Sequence, residues 1–128
     1  MKLDDLKRIK EIDASNMIDI LLKFPEQIKQ SINLINKQNL PKMYNIKYIV
    51  ITGMGGSAIS GDLLQSYAQS RFPIPIFVNR GYQLPRWVNK HTLVFAQSYS
   101  GNTEETLSAF KIASEKKASI IGLSSGGK

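Results

Sequence analysis

The sequence predicts an α/β domain, a parallel sheet with helices on both faces in a doubly wound three-layer arrangement, preceded by N-terminal helices. From Tyr48 onward, short apolar runs partly built of β-branched residues alternate with amphipathic helical stretches. Right-handed crossovers turn that order into a parallel sheet. Two of the apolar runs pass directly into loops of glycine, serine and threonine that open helices. Before Tyr48 the residues keep helical spacing.

Taken in order, the first stretch is helical with mixed polarity. Ser15 or Asn16 is placed to cap a helix carrying Met17, Ile18, Leu21 and Leu22 on one face. Pro25 suits the first position of a second helix, with Glu26 in its first turn and Ile28, Ile32 and Ile35 as its apolar stripe. Pro41 closes this packing unit, to which no chemistry is assigned. Tyr48 to Ile51 is the continuous apolar run expected of a buried parallel strand. The helix after it is predicted to turn Ile59, Leu63, Leu64, Tyr67 and Ala68 inward. Further strands are predicted at Ile76–Val78, Thr92–Ala96 and Ser119–Leu123, with a helix bearing Thr106, Leu107, Phe110 and Ala113 before the last, and Leu84–Val88 as a short helix or loop. The expected division is a helical segment over residues 1–45 and the sheet domain over 46–128. Four strands ending on the turn signal Ser124-Ser125-Gly126-Gly127 predict a fragment of a longer protein.

Composition narrows the function classes. At 42% hydrophobic and 21% charged residues the chain has the balance of a folded globular protein. It has no cysteine and a single histidine, His91, so neither a thiolate nucleophile nor a Cys/His metal site is expected. The net charge of +7 is carried by scattered lysines, with Lys116-Lys117 the only adjacent pair. A basic surface without dense blocks or interleaved aromatics does not predict nucleic acid binding. The N-terminus lacks the apolar core of a signal peptide, and no apolar run approaches bilayer-spanning length; a cytoplasmic protein without a membrane partner is expected.

The two small-residue loops carry the predicted chemistry. Gly53 to Ser57 and Ser98 to Thr103 each leave a strand and enter a helix. In an open parallel sheet both must face the carboxyl edge, where ligands bind. A helix N-terminus presents unpaired N–H groups and partial positive charge, which suits an anion. Glycine admits close backbone approach, and Ser57, Ser98, Ser100 and Thr103 add hydroxyl donors. Each loop alone also fits ordinary structural work, a tight turn or an N-cap at Thr103; the pair together predicts an anion site. Gly53-Met54-Gly55-Gly56-Ser57-Ala58 also satisfies the dinucleotide pattern G-x-G-x-x-A. Asn79-Arg80 stands where that pattern wants a ribose-binding acid, and Arg80 leaves an NADP 2′-phosphate open. A Walker A loop is excluded, since no Gly-Lys-Ser/Thr follows.

The residues Gly53-Met54-Gly55-Gly56-Ser57-Ala58-Ile59-Ser60-Gly61-Asp62 and Ser98-Tyr99-Ser100-Gly101-Asn102-Thr103-Glu104-Glu105-Thr106-Leu107 resemble the sugar isomerase (SIS) domain, and more narrowly the bifunctional phosphoglucose/phosphomannose isomerase family. Ile12-Asp13-Ala14-Ser15-Asn16-Met17 and the closing Ser124 to Lys128 fit the same family. The resemblance implies one of two SIS domains of a homodimeric enzyme that interconverts aldose and ketose 6-phosphates, glucose 6-phosphate or mannose 6-phosphate with fructose 6-phosphate. It assigns Gly56, Ser57, Ser98, Ser100 and Thr103 to the substrate, chiefly its phosphate, and calls for no cofactor or metal. The family's proton-abstracting glutamate, ring-opening histidine, enediolate-binding arginine and C-terminal lysine match no position here, so no catalytic residue is carried over. His91 precedes a strand, at the end away from the ligand edge, and reads as a surface residue; Glu104 and Glu105 read as first-turn acids turned away from the anion. Two alternatives stand beside this: a non-catalytic SIS module that senses sugar phosphates, and an NADP-binding Rossmann domain.

Overall fold

The computed structural model describes residues 5–127. The chain divides into two compact units between Pro41 and Lys42. The first holds α1 (Leu6–Ile12), α2 (Met17–Leu22) and α3 (Phe24–Asn36), none of which contains a buried residue. Pro25 and Glu26 lie in the first turn of α3, as their chemistry demands. The stripe of Ile28, Ile32 and Ile35 stays about half exposed.

The cap of α2 differs from the sequence expectation. Asn16 holds the N-cap position but in a left-handed conformation, with no side-chain cap bond. Asp13 does the capping instead: its carboxylate accepts from Met17 N at 2.7 Å and Ile18 N at 2.8 Å. The bond from Ile18, then that from Met17, holds the Asp13 carboxyl below its ordinary value of 3.8, partly opposed by desolvation. A carboxyl depressed by folding contributes stability above its unfolded value and loses it as pH falls through the folded one. Asp13→Ala is therefore expected to speed amide exchange at Met17 and Ile18 several-fold at neutral pH, and wild-type protection there should fade below the folded pKa. Unchanged exchange in the variant would remove Asp13 as the cap.

The second unit is built on β1 (Tyr48–Thr52), α4 (Gly56–Ala68), β2 (Ile76–Asn79), β3 (Thr92–Gln97), α5 (Glu104–Glu115) and β4 (Ser119–Leu123). All strand pairs are parallel, in the order β2-β1-β3-β4. The register sets Val50 beside Phe77 and Val94, and Ile51 beside Val78 and Phe95. The steps β1 to β2 and β3 to β4 run in opposite directions across the sheet, so right-handed crossovers place α4 and α5 on opposite faces. The expected α/β class and doubly wound arrangement are thus present. The strand order reverses between β1 and β3, and the two loops flank that switch point.

On the α5 face, Val50 and Val94 pack with Leu84, Val88, Ala109 and Ala113. Burying a valine fully contributes about 1.5–3 kcal/mol, and both valines are fully buried. The segment from Leu84 to Val88 is a loop whose two end residues plug this core.

On the α4 face the sequence expectation needs correction. Ala58, Gly61 and Ala68 are the buried residues of α4, whereas Ile59, Leu63, Leu64 and Tyr67 are 40–61% exposed. The reason is close approach. A Cβ on Gly61 would lie 3.0 Å from Ile51 Cγ2 and 3.3 Å from Val78 Cγ1, so the helix rests on the sheet through small residues. In α5, likewise, Thr106 and Ala113 are buried as expected, but Leu107 and Phe110 stay about half exposed and Ala109 takes an inner place.

Candidate anion-binding site at the switch point

Both loops start helices that no side chain caps: Gly55 offers none, and Thr103 makes no cap bond. Thr103 has a hydroxyl able to cap, but its Oγ1 lies 2.8 Å from Ser98 Oγ instead. Ser100 Oγ stands 3.5 Å from Ser98 Oγ and accepts from Asn102 N at 3.2 Å. Three predicted residues, Ser98, Ser100 and Thr103, thus form one hydroxyl cluster. It grades from buried Ser98 through half-buried Thr103 to exposed Ser100.

Gly56 and Ser57 open α4 across the switch point. Ser57 N donates to Met54 O at 3.0 Å, and Ser57 O accepts from Ser60 Oγ at 3.0 Å. Among the described residues, no hydrogen bond joins Ser57 directly to the three hydroxyls. The loops are tied through Ser60, whose Oγ lies 2.6 Å from Gln97 Oε1.

A third loop, Ser124 to Gly127, which the sequence marked as a turn without assigning it to the site, belongs to this edge. Ser125 N and Ser125 Oγ both donate to Tyr99 O, at 3.3 and 2.8 Å. Gly101, at φ +73°, packs against Gly126 and Gly127. Ser124 Oγ bonds the Gly126 carbonyl and accepts from Gly126 N. The glycine pair after β4 was the available signal, a mark of backbone approaching backbone.

The remaining titratable groups sit outside the cluster. His91 lies at the start of β3, with its Nδ1 3.1 Å from Asn45 O. Tyr82, in the loop after β2, donates to Glu104 Oε2 at 3.4 Å. Its hydroxyl is pushed up, first by the negative charge of Glu105, then by desolvation and by Glu104. The two carboxylates therefore lie near the β2 loop, and neither bonds the serine-loop hydroxyls. Arg80 pairs with Asp62 on α4. Asn79, in place of a ribose-binding acid, is buried and donates to Thr52 Oγ1 and Gly81 O at 3.2 and 2.8 Å. Arg80, the group the sequence left open to an NADP 2′-phosphate, is thus paired within the fold.

A hollow of about 610 Å³ lies beside Gln65, Phe72, Ile74 and Ile76, away from the two loops. A smaller one of about 130 Å³ lies under the serine loop, where Ala96, Leu107, Phe110 and Leu123 line it beside Ser98 and Thr106. An anion is recognised by convergent donors, which the hydroxyl cluster of Ser98, Ser100 and Thr103 brings together and the mainly apolar smaller hollow does not.

A parallel sheet with two uncapped helix N-termini and a hydroxyl loop at its switch point is the architecture of an α/β domain suited to an anion, and the chain belongs to the SIS domain family, which matches residues 42–127. Among its relatives is the bifunctional phosphoglucose/phosphomannose isomerase of Caldicellulosiruptor bescii, 46% identical over 113 residues, covering 88% of this chain and 33% of that protein. The enzyme of the same name from Thermoplasma acidophilum is 36% identical over 107 residues, covering 84% and 34%. A solved structure from Clostridium difficile, assigned as a phosphosugar isomerase, superposes with a TM-score of 0.62 at 28% identity, covering 80% of this chain and 30% of that one. The chain spans about a third of the length of the curated relatives it matches.

Proposed function

We propose that this chain is the phosphate-gripping domain of a sugar-phosphate isomerase that interconverts glucose 6-phosphate or mannose 6-phosphate with fructose 6-phosphate. The observation that carries this is the turning of Thr103 away from its helix cap, which leaves the start of α5 open beside a cluster of three hydroxyls. Gly56, Ser57, Ser98, Ser100 and Thr103 hold the phosphate oxygens. Isomerisation moves a proton between C2 and C1 through an enediol, with no net redox change. Fixing the remote phosphate orients the reacting carbons against a base. That base and the ring-opening acid belong to chain outside these residues, together with a second SIS domain. The same reading divides this chain into a helical segment over 1–45 and the SIS domain from 46, in a cytoplasmic homodimer without metal or cofactor. Among the described residues no helix is long and apolar enough to cross a membrane.

A thermal-shift titration with fructose 6-phosphate, arabinonate 5-phosphate, inorganic phosphate and NADP tests the site. A ligand at 100 times its Kd raises stability by about 2.7 kcal/mol, enough to resolve. Stabilisation by the three phosphate ligands, without NADP, is expected. Stabilisation by NADP alone would restore the dinucleotide alternative, although Arg80 is already paired. The sensing alternative shares the phosphate site and lacks the base. Isomerase assay of a polypeptide of the relatives' length carrying this domain separates the two.

A further inference from the structure

Gln97 is the last residue of β3, one position before Ser98, and three elements meet on it. Its backbone carbonyl stands where a Cβ on Gly53 would come within 2.9 Å, so the glycine loop lies directly against it. The same carbonyl accepts from Thr106 Oγ1 of α5 at 3.5 Å. Its side chain crosses to α4, where Oε1 lies 2.6 Å from Ser60 Oγ. Ser60 stands one turn beyond Ser57, and its one hydroxyl proton is shared between Gln97 Oε1 and the Ser57 carbonyl, 3.0 Å away. This Gln97–Ser60 contact is the only side-chain-to-side-chain hydrogen bond between the first turn and a half of α4 and the end of β3 among the described residues.

Two half-sites gripping one small anion must keep their spacing to within a few tenths of an ångström, because hydrogen bonds weaken steeply beyond their short optimum. The main-chain ladder between β1 and β3 stops at Thr52 and Ala96. From there to the helix starts, Gln97 spans the gap. We infer that Gln97 is a positioning residue: its side chain, clamped to Ser60, fixes the distance between the glycine loop and the serine loop and so sets phosphate affinity. The inference rests on the phosphate site proposed above. Neither Gln97 nor Ser60 needs to touch the ligand.

The test is a double-mutant cycle on this chain, using Gln97→Leu, Ser60→Ala and the double variant. Calorimetric titration with inorganic phosphate and fructose 6-phosphate is run at a temperature where urea curves show every variant folded. Groups in direct contact couple, whereas distant ones add. Each single variant should bind both ligands about three- to tenfold more weakly, and the double variant little worse than either. Ser60→Thr, which keeps the hydroxyl, should recover most of the affinity. A purely structural role would move the urea midpoint and leave the Kd of the folded variants unchanged. Unchanged Kd, or independent losses that multiply in the double variant, would overturn the clamp. Failure of the wild-type chain to bind either ligand would instead count against the phosphate site itself, so the two inferences fail differently.

Discussion

Replacing Gly101 with alanine is expected to abolish phosphate binding by this chain and to lower its stability by about 2–5 kcal/mol. Two separate penalties meet at this position. The backbone is left-handed, φ +73°, a conformation that strains a residue with a Cβ. The added carbon would also overlap the Gly126 carbonyl oxygen and lie 2.8 Å from both Gly126 C and Gly127 Cα. All three are backbone atoms, so no rotamer change relieves the contact. The serine loop or the loop after β4 must move, and with it the bonds from Ser125 to Tyr99 O. Ser100 lies next to the altered residue and would leave the hydroxyl cluster. Gly122→Ala is the matched control, since an added Cβ there meets nothing within 4 Å; its stability should change by less than about 0.5 kcal/mol, with affinity retained. Urea unfolding and phosphate titration of both variants decide the matter. A Gly101→Ala chain with wild-type midpoint and affinity would mean that contact between the two loops does not shape the site.

How much of this was legible depended on the kind of signal. The strands were, to within a residue or so: the apolar runs from Tyr48 and from Ser119 both became strands where the pattern put them, the first buried toward its end and the second, at the sheet edge, half-buried to exposed. Helix faces were less legible. Ile59, Leu63 and Tyr67 have the spacing of an inner stripe, yet α4 turns its small residues to the sheet. Hydrophobic periodicity counts apolar area and says nothing of the distance between backbones, which Gly61 controls. The α2 cap was displaced for a similar reason. The two adjacent candidates, Ser15 and Asn16, lost to Asp13, whose carboxylate reaches two N–H groups from farther back. At the site, the residue types were readable because helix N-termini and hydroxyls have a distinctive chemistry. The bracing by Ser125 spans 26 residues, and local patterns carry no such information.

Placing a carboxylate at Ser100 gives the sharpest test of charge in the site. Ser100 is exposed, and its hydroxyl closes the outer side of the cluster. Ser100→Ala removes one donor and should weaken phosphate binding about three- to tenfold. Ser100→Asp also introduces a charge of the ligand's own sign. Two unit charges 4 Å apart repel by about 4 kcal/mol at an effective dielectric constant of 20. Screening at an exposed position reduces that figure, and a loss of at least about a hundredfold in affinity is expected. The fold should hardly respond, because the helix N-terminus that favours the phosphate also favours a carboxylate. Aspartate there supplies internally part of what the ligand supplies from outside. The variant should therefore match or slightly exceed the wild type in ligand-free thermal stability while losing the shift on adding fructose 6-phosphate. Raising the salt concentration should narrow the gap in affinity between Ser100→Asp and Ser100→Ala, since screening acts on the charge and not on the missing hydroxyl. Equal affinities for the two variants at low salt would place the bound phosphate away from Ser100, and the grip would then have to be sought at Gly56 and Ser57 alone.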